Sequence, residues 1–589
     1  MRIVRFLFPL LGACLLTQIA ARAATNAADL LPDAVVYLTL VPDMEAFKSR
    51  FYIDHERSAT LPIVDQATAH NKNNPLLPVG PGLKPAALGL PVFEQLALDA
   101  GFQLFLAQLP DENGHLQFIA GCQANDAAAL AEKMEAAAKK LMPIIEWKIV
   151  PDAPNAKETF MLGAGIVRVS HVNGWTLVGT ALPEMIIMEK RLRGVELPAA
   201  PLSSTKLWQQ NMGAQDPNAL LIYFTNLRFA AEAAQLVGDA SYTRLLSRHL
   251  SGIDAYSWTW NSAGAESLAY DKMIFSLNAG TREALSQIYL PVRDLPRGLA
   301  NSKTLVKFAA RVNLTNLSKA PALQGTKLSK SLTGTSMEVD YAFLIDDSDD
   351  LFARPVAHWI GTDQPAAIQE WWSAHFPGDT VFEIISGGML VAKSAKDVVY
   401  FASKLQTTPD RNPLYNELPA VNAPFASMEL DTARITGSLY QSVRQNPVAW
   451  NAWLEKEDIK FSETLPELDP AQYLTLGRVT IGLEGDNLVV FNSLKTGGLT
   501  NSLYTAISNV ATWTGRKQME ADCTTWRSWF EWKQEGGLFG QAPRDDFFTA
   551  FLWSNLFAGP VLTGERSLTL FLDLYSFVFL ATPPNPLGR

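Results

Sequence analysis

Two stretches of this chain read as copies of one another, and they limit what it can fold into. Asn173 to Leu192 is NGWTLVGTALPEMIIMEKRL, and Ser386 to Leu405 is SGGMLVAKSAKDVVYFASKL. A constant offset of 213 residues relates them, from Gly174 to Gly387 and from Leu192 to Leu405. Each predicts a short apolar strand, a turn and a helix. Each helix carries an acid in its first turn, Glu184 or Asp397, where the helix dipole favours it. Self-similarity at a fixed offset, with matching neighbourhoods, predicts an internal duplication.

The neighbourhoods do match in order. In the first half, Leu31 to Phe51 predicts a strand (Val35 to Leu40) followed by a helix, and residues 55 to 90 read as a long loop. Gly101 to Cys122 predicts a hairpin that turns at Asn113-Gly114, a pair that tolerates positive φ. A helix follows from Asp126 to Met142 and stops at Pro143, and the alternation of Ile145, Trp147 and Ile149 predicts a strand. After Leu192, Ser203 or Ser204 can cap a short helix carrying Leu207 and Trp208. Strands are then expected at Leu220 to Phe224, Ala255 to Trp260 and Leu268 to Leu277, with helices at Leu227 to Val237 and from Thr281.

The second half repeats this series. Strands are expected at Thr304 to Val312, Met337 to Ile345, Phe352 to Ile360, Val381 to Ile385 and Phe425 to Leu430, with a helix at Asp363 to Phe376. A hairpin over Arg478 to Leu494 turns through Glu484-Gly485-Asp486-Asn487, and a helix begins at Thr500. The expected fold class is α+β: two duplicated lobes, residues 24–295 and 296–515, each an antiparallel sheet with helices packed on one face. A length of 589 residues requires more than one core.

Two segments stand apart from the lobes. Residues 1–23 read as a signal peptide, with Arg2 and Arg5 ahead of the apolar run Phe6 to Leu16 and a small-x-small site at Ala21-Arg22-Ala23. The expectation is export to the periplasm or medium. The rival reading takes Leu11-Gly12-Ala13-Cys14 as a lipobox, with a lipid on Cys14. Residues 516–589 form an aromatic-rich C-terminal extension with Trp526, Trp529, Trp532 and Trp553 and the apolar run Leu568 to Ala581. That run is too short to span a bilayer and contains Asp573. It reads as elements packed on the second lobe, or as an interfacial segment that touches membrane or a partner.

Charge excludes one class of partner. The net charge is −10, and −13 once the first 23 residues, with their three arginines and no acid, are removed. No basic stripe offsets this, so nucleic acid is not expected. Outside the signal, Cys122 and Cys523 read as buried free thiols.

The search for chemistry assigns no catalytic, cofactor-binding or metal-ligating residue. No two histidines stand at i, i+4, and His375 suits a helix C-terminus. Asp346-Asp347-Ser348-Asp349-Asp350 has the alternating oxygens of a calcium loop, but Leu351 and Ala357 replace the glycine and glutamate such loops use, so a solvated hairpin turn is expected. Glu429 and Asp431 lie two apart on a strand, facing one side, as an acid–base pair would. Phe224 and Asn226 stand at the matching places in the first lobe, so Asp431 reads more simply as a helix cap. Tyr256-Ser257-Trp258-Thr259-Trp260 could stack on sugar rings, or bury its aromatics in a core.

These features, Leu31-Pro32-Asp33, the Gly174 to Leu192 unit, Leu207-Trp208, and the strand from Ile222 into Ala230, resemble a family of secreted bacterial proteins catalogued as domain of unknown function 3352. The likeness spans most of residues 31 to 510. It implies an extracytoplasmic bacterial protein and carries no activity or site residues with it. Two functions are therefore expected in order: a non-catalytic protein binding an envelope component or protein partner, and a secreted hydrolase of polysaccharide or peptidoglycan.

Overall fold

The structure is a computed structural model. It describes residues 26–46, 100–113, 116–141, 145–161, 165–195, 197–216, 218–228, 252–262, 268–319, 337–348, 354–375, 380–385, 387–406, 418–431, 434, 445 and 476–495. The fold is α+β, a mostly antiparallel sheet with helices. The chain divides into two compact units: residues 1–45 with 84–209, and residues 46–83 with 210–589. The signal segment with Cys14, the 55–90 loop, nearly all of the 227–237 helix, the helix from Thr500, Cys523 and the C-terminal extension lie outside the described residues.

In the first unit the strands β1 (Tyr37–Val41), β2 (Leu104–Pro110), β3 (Leu116–Gln123), β4 (Lys148–Val150), β5 (Ala153–Met161), β6 (Gly165–Val172) and β7 (Trp175–Gly179) pair in the order β1-β2-β3-β7-β6-β5-β4. The β2–β3 hairpin is the expected one, with Leu104 opposite Cys122, which is buried and in no disulfide among the described residues. Between β6 and β7, Asn173 (φ 47°) and Gly174 (φ 83°) form the two-residue turn that matches strand twist. Helix α1 (Ala127–Leu141) starts where Asp126 Oδ1 accepts the Ala129 N–H at 2.9 Å. Helix α2 (Leu182–Leu192) has no side-chain cap and begins with Pro183 in its first turn. Helix α3 (Lys206–Met212) starts at Thr205, whose Oγ1 accepts the Trp208 N–H, instead of at Ser203 or Ser204.

The helices do not lie on one face, as the sequence reading expects. Thr176 donates to the Ala127 carbonyl at the start of α1, while Arg168, which faces Gly179 across the strands, binds Glu189 of α2. Residues 176 and 179 point to opposite sides of β7, so α1 and α2 cover opposite faces. The reason is local: β7 is buried at every position, and a strand buried on both sides needs a layer on each.

In the second unit the strands are β8 (Leu221–Asn226), β9 (Ile253–Ser262), β10 (Leu268–Leu277), β11 (Thr304–Asn313), β12 (Glu338–Asp346), β13 (Val356–Gly361), β14 (Val381–Ile385), β15 (Gly388–Ala392), β16 (Ala426–Leu430), β17 (Leu476–Glu484) and β18 (Asn487–Lys495). They pair in the order β8-β9-β10-β18-β17-β16-β11-β12-β13-β15-β14, each pair antiparallel. The described helices beside them include α4 (Ala279–Ile288), α5 (Leu314–Ser318), α6 (Pro365–His375) and α7 (Ala395–Lys404). Asn278 caps α4 and Ser394 caps α7 through N–H groups three residues on. Again the helices take both faces. Val398 and Phe401 of α7 pack with Ala342, Leu344, Trp359 and Leu390, whereas Ile368 of α6 packs with Val339, Ile360, Met389 and Val391, the alternate positions of the same strands.

Candidate functional site

The densest charge in the described residues gathers where β11 begins and β12 ends. Ala342, Leu344 and Asp346 alternate onto one face of β12, the face covered by α7. The last turns of α7 present Tyr400 and Lys404, four residues apart and so on one side of the helix. Asp346 is therefore not in a solvated turn, as expected from its acidic surroundings; it is 0% exposed. Strand alternation continues one residue into the acid run and carries its first member inside. Lys404 Nζ donates to Asp346 Oδ2 at 2.5 Å, Tyr400 donates to the same oxygen at 2.9 Å, and Thr304 Oγ1 donates to Oδ1 at 2.9 Å. Burial pulls the Lys404 ammonium below its ordinary value against the hydrogen bond and charge of Asp346. Burial and the same carboxylate push the Tyr400 phenol up. The ammonium also lies 5.0 Å from the Phe401 ring centroid.

A second layer of ions sits beside this one. Asp347 pairs with Arg354 at 3.6 Å and with Arg434 at 3.5 Å. Asp431, the second of the paired acids, holds Arg434 twice, accepting its backbone N–H at 3.0 Å and its Nε at 2.7 Å. Glu429 lies in a cross-strand row of charge, Lys307 on β11, Glu429 on β16 and Arg478 on β17, each directly opposite the next. Lys307 Nζ is 2.5 Å from Oε2 and Arg478 Nε is 3.8 Å from Oε1. Opposite charges so placed support neighbouring strands. Both acids that an acid–base reading would use are thus held by cations.

Two further polar groups were not legible in the sequence. In the first unit Arg168, 3% exposed, forks onto both oxygens of Glu189 at 2.8 and 2.7 Å and reaches Glu158 at 2.8 Å. The signal available was a charged residue inside the apolar run IVRVS. In the second unit Asp216 accepts from Tyr270 and from Asn261, both at 2.6 Å, and from the Asn218 N–H at 2.9 Å. Burial would raise the Asp216 carboxyl, but these donors and Lys272 bring it below the usual aspartate value. Tyr270 is pushed up to about 12, by burial first and by Asp216 next.

The other candidate residues scatter. Tyr256, Ser257 and Thr259 are buried in β9, which favours the core reading of that stripe, while the side chains of Trp258 and Trp260 lie outside the described residues. His358 Nδ1 is 2.8 Å from the Tyr341 hydroxyl, within rings of Phe343 and Trp372. The side chain of His375, at the last position of α6, lies outside the described residues. Among the described residues no three His, Cys, Asp or Glu side chains gather as metal ligands, and no helix is long and apolar enough to cross a membrane.

Compared with family models, with curated proteins and with solved structures, the chain gives no match.

Proposed function

We propose that this chain is an extracytoplasmic bacterial protein that binds an envelope component or a protein partner without catalysing a reaction. The observation that carries this reading is that, among the described residues, the acids an acid–base reading would use are held in ion pairs. Glu429 is clamped between Lys307 and Arg478, Asp431 holds Arg434, and Asp346 is shared among Lys404, Tyr400 and Thr304. A catalytic acid or base must reach a substrate and change protonation there, and a carboxylate clamped by two cations is poorly placed for either.

We further propose that the two halves are copies of one plan, as in the secreted family the sequence resembles. Three pairings support this, β2–β3 with β12–β13, β3–β7 with β13–β15, and β6–β7 with β14–β15. The last two hairpins share one register, with Arg168 opposite Gly179 and Val381 opposite Ala392, all four related by the 213-residue offset. Gly174 and Gly387 both have φ 83°. The following helices each end on a cation that reaches back into its own unit, Arg191 onto the carbonyls of Leu30 and Leu31 and Lys404 onto Asp346.

The test is a screen of purified protein against polysaccharide, peptidoglycan and ester substrates, beside Glu429→Gln with Asp431→Asn. No turnover by either protein is expected. Turnover that the double substitution removes would establish the hydrolase instead. Export has its own check. N-terminal sequencing of secreted material should begin near Ala24, and a lipid-bearing Cys14 at the mature terminus would replace plain secretion with lipoprotein anchoring.

A further inference from the structure

The hairpins β6–β7 and β14–β15 share a register, but their outer edges differ. On the far side of β6 lies β5, paired antiparallel from Ala156 opposite Ser170 to Met161 opposite Gly165. Among the described residues, β14 pairs with β15 alone. Its sequence, VFEII, is apolar except at its centre. Ile384 is 58% exposed, and Glu383 has no cation within ion-pair distance among the described residues. An edge strand offers a row of unpaired backbone donors and acceptors.

We propose that the β14 edge is a docking site for an extended peptide of a partner protein, added antiparallel and carrying a basic residue opposite Glu383. This names the partner surface for the binding reading above and rests on that reading. Three observations choose the occupant. The same hairpin in the first unit already carries an added antiparallel strand, so the geometry accepts one. The alternation of Val381, Glu383 and Ile385 on one side asks for apolar, basic, apolar across from it. A second copy paired about the centre of β14 would set Glu383 against Glu383, and like charges directly opposite are destabilising. Main-chain bonds would supply the attachment and the alternate side chains the selectivity.

The probe is a labelled synthetic peptide, Ser-Val-Thr-Lys-Thr-Val-Ser, titrated by fluorescence anisotropy into the full-length protein. Its counterpart carries Glu in place of Lys. The expected result is that the Lys peptide binds about fivefold or more tightly than the Glu peptide, the size of an opposite-against-like charge difference at one paired position. In Glu383→Lys, with its circular dichroism unchanged, the preference should reverse. Equal binding of both peptides, no binding at millimolar peptide, or a preference that ignores Glu383→Lys would overturn the proposal. A concentration-dependent dimer that Glu383→Lys alters would overturn it in favour of self-pairing. None of these readouts depends on turnover, so this surface and the non-catalytic reading fail separately.

Discussion

Replacing Lys404 by methionine should cost the fold about 3–5 kcal/mol, read as a fall in the denaturation midpoint. Methionine keeps most of the volume and the packing against Phe401, so the loss is electrostatic. It leaves Asp346, 0% exposed, with a buried negative charge and, among the described residues, only the hydroxyls of Tyr400 and Thr304 as side-chain donors. Removing one partner of a buried ion pair is costly because the remaining charge is uncompensated, and that is the source of the magnitude. Neutralising both members, Asp346→Asn with Lys404→Met, should recover part of the loss, since a desolvated pair is worth little over a well-packed neutral one. A single Lys404→Met protein as stable as the parent would show that Asp346 is hydrated or otherwise paired.

Gly388→Ala should be the most damaging single methyl addition on the β14–β15 hairpin, about 3 kcal/mol or more. A Cβ at Gly388 would overlap the Ile360 carbonyl oxygen and come within 3.0 Å of Gly361 Cα, so backbone on the neighbouring strand must move. β15 is buried at every position and its neighbour is another glycine, Gly361, directly opposite, so the strands cannot part cheaply. Gly387, one residue earlier, is the control. A Cβ there meets nothing within 4 Å, and only its φ of 83° opposes a side chain. Gly387→Ala should cost roughly 1–2 kcal/mol, the ordinary penalty of the left-handed region. Thermal unfolding of the two variants separates steric approach from backbone conformation. Equal losses would refute the close approach.

Most strands and helices were legible because their signals are local. The β2–β3 hairpin declares itself by two alternating runs around Asn113-Gly114, and α1 by Asp126 at one end and Pro143 at the other. What escaped depends on partners distant in sequence. β5, APNAKETFM, has neither apolar alternation nor β-branched enrichment, and it forms because β6 offers it an edge. The strand expected over Ile145 to Ile149 shrinks to Lys148–Val150 for the complementary reason, that only Lys148 to Val150 finds partners on β5. The two-sided helix cover could have been read from the continuous apolar runs WTLVG and GMLVA, which do not alternate and so are not half-exposed strands. At the candidate site, Glu429 and Asp431 were legible as two acids two residues apart at the end of a strand. Their cations were not, because Lys307 and Arg478 arrive from strands 122 and 49 residues away in the chain. The acid run misled because composition suggests water while the strand's alternation decides where Asp346 points.

The claim that the buried charges serve the fold is tested most directly by a double-mutant cycle at Asp346 and Lys404. Unfolding free energies of Asp346→Asn, Lys404→Met and the pair yield one coupling energy. The predicted result is strong non-additivity, the double variant losing less than the sum of the singles by about 1–3 kcal/mol, as groups in direct contact do. Singles that add to within about 0.5 kcal/mol would mean the two groups do not support each other, and would contradict the account.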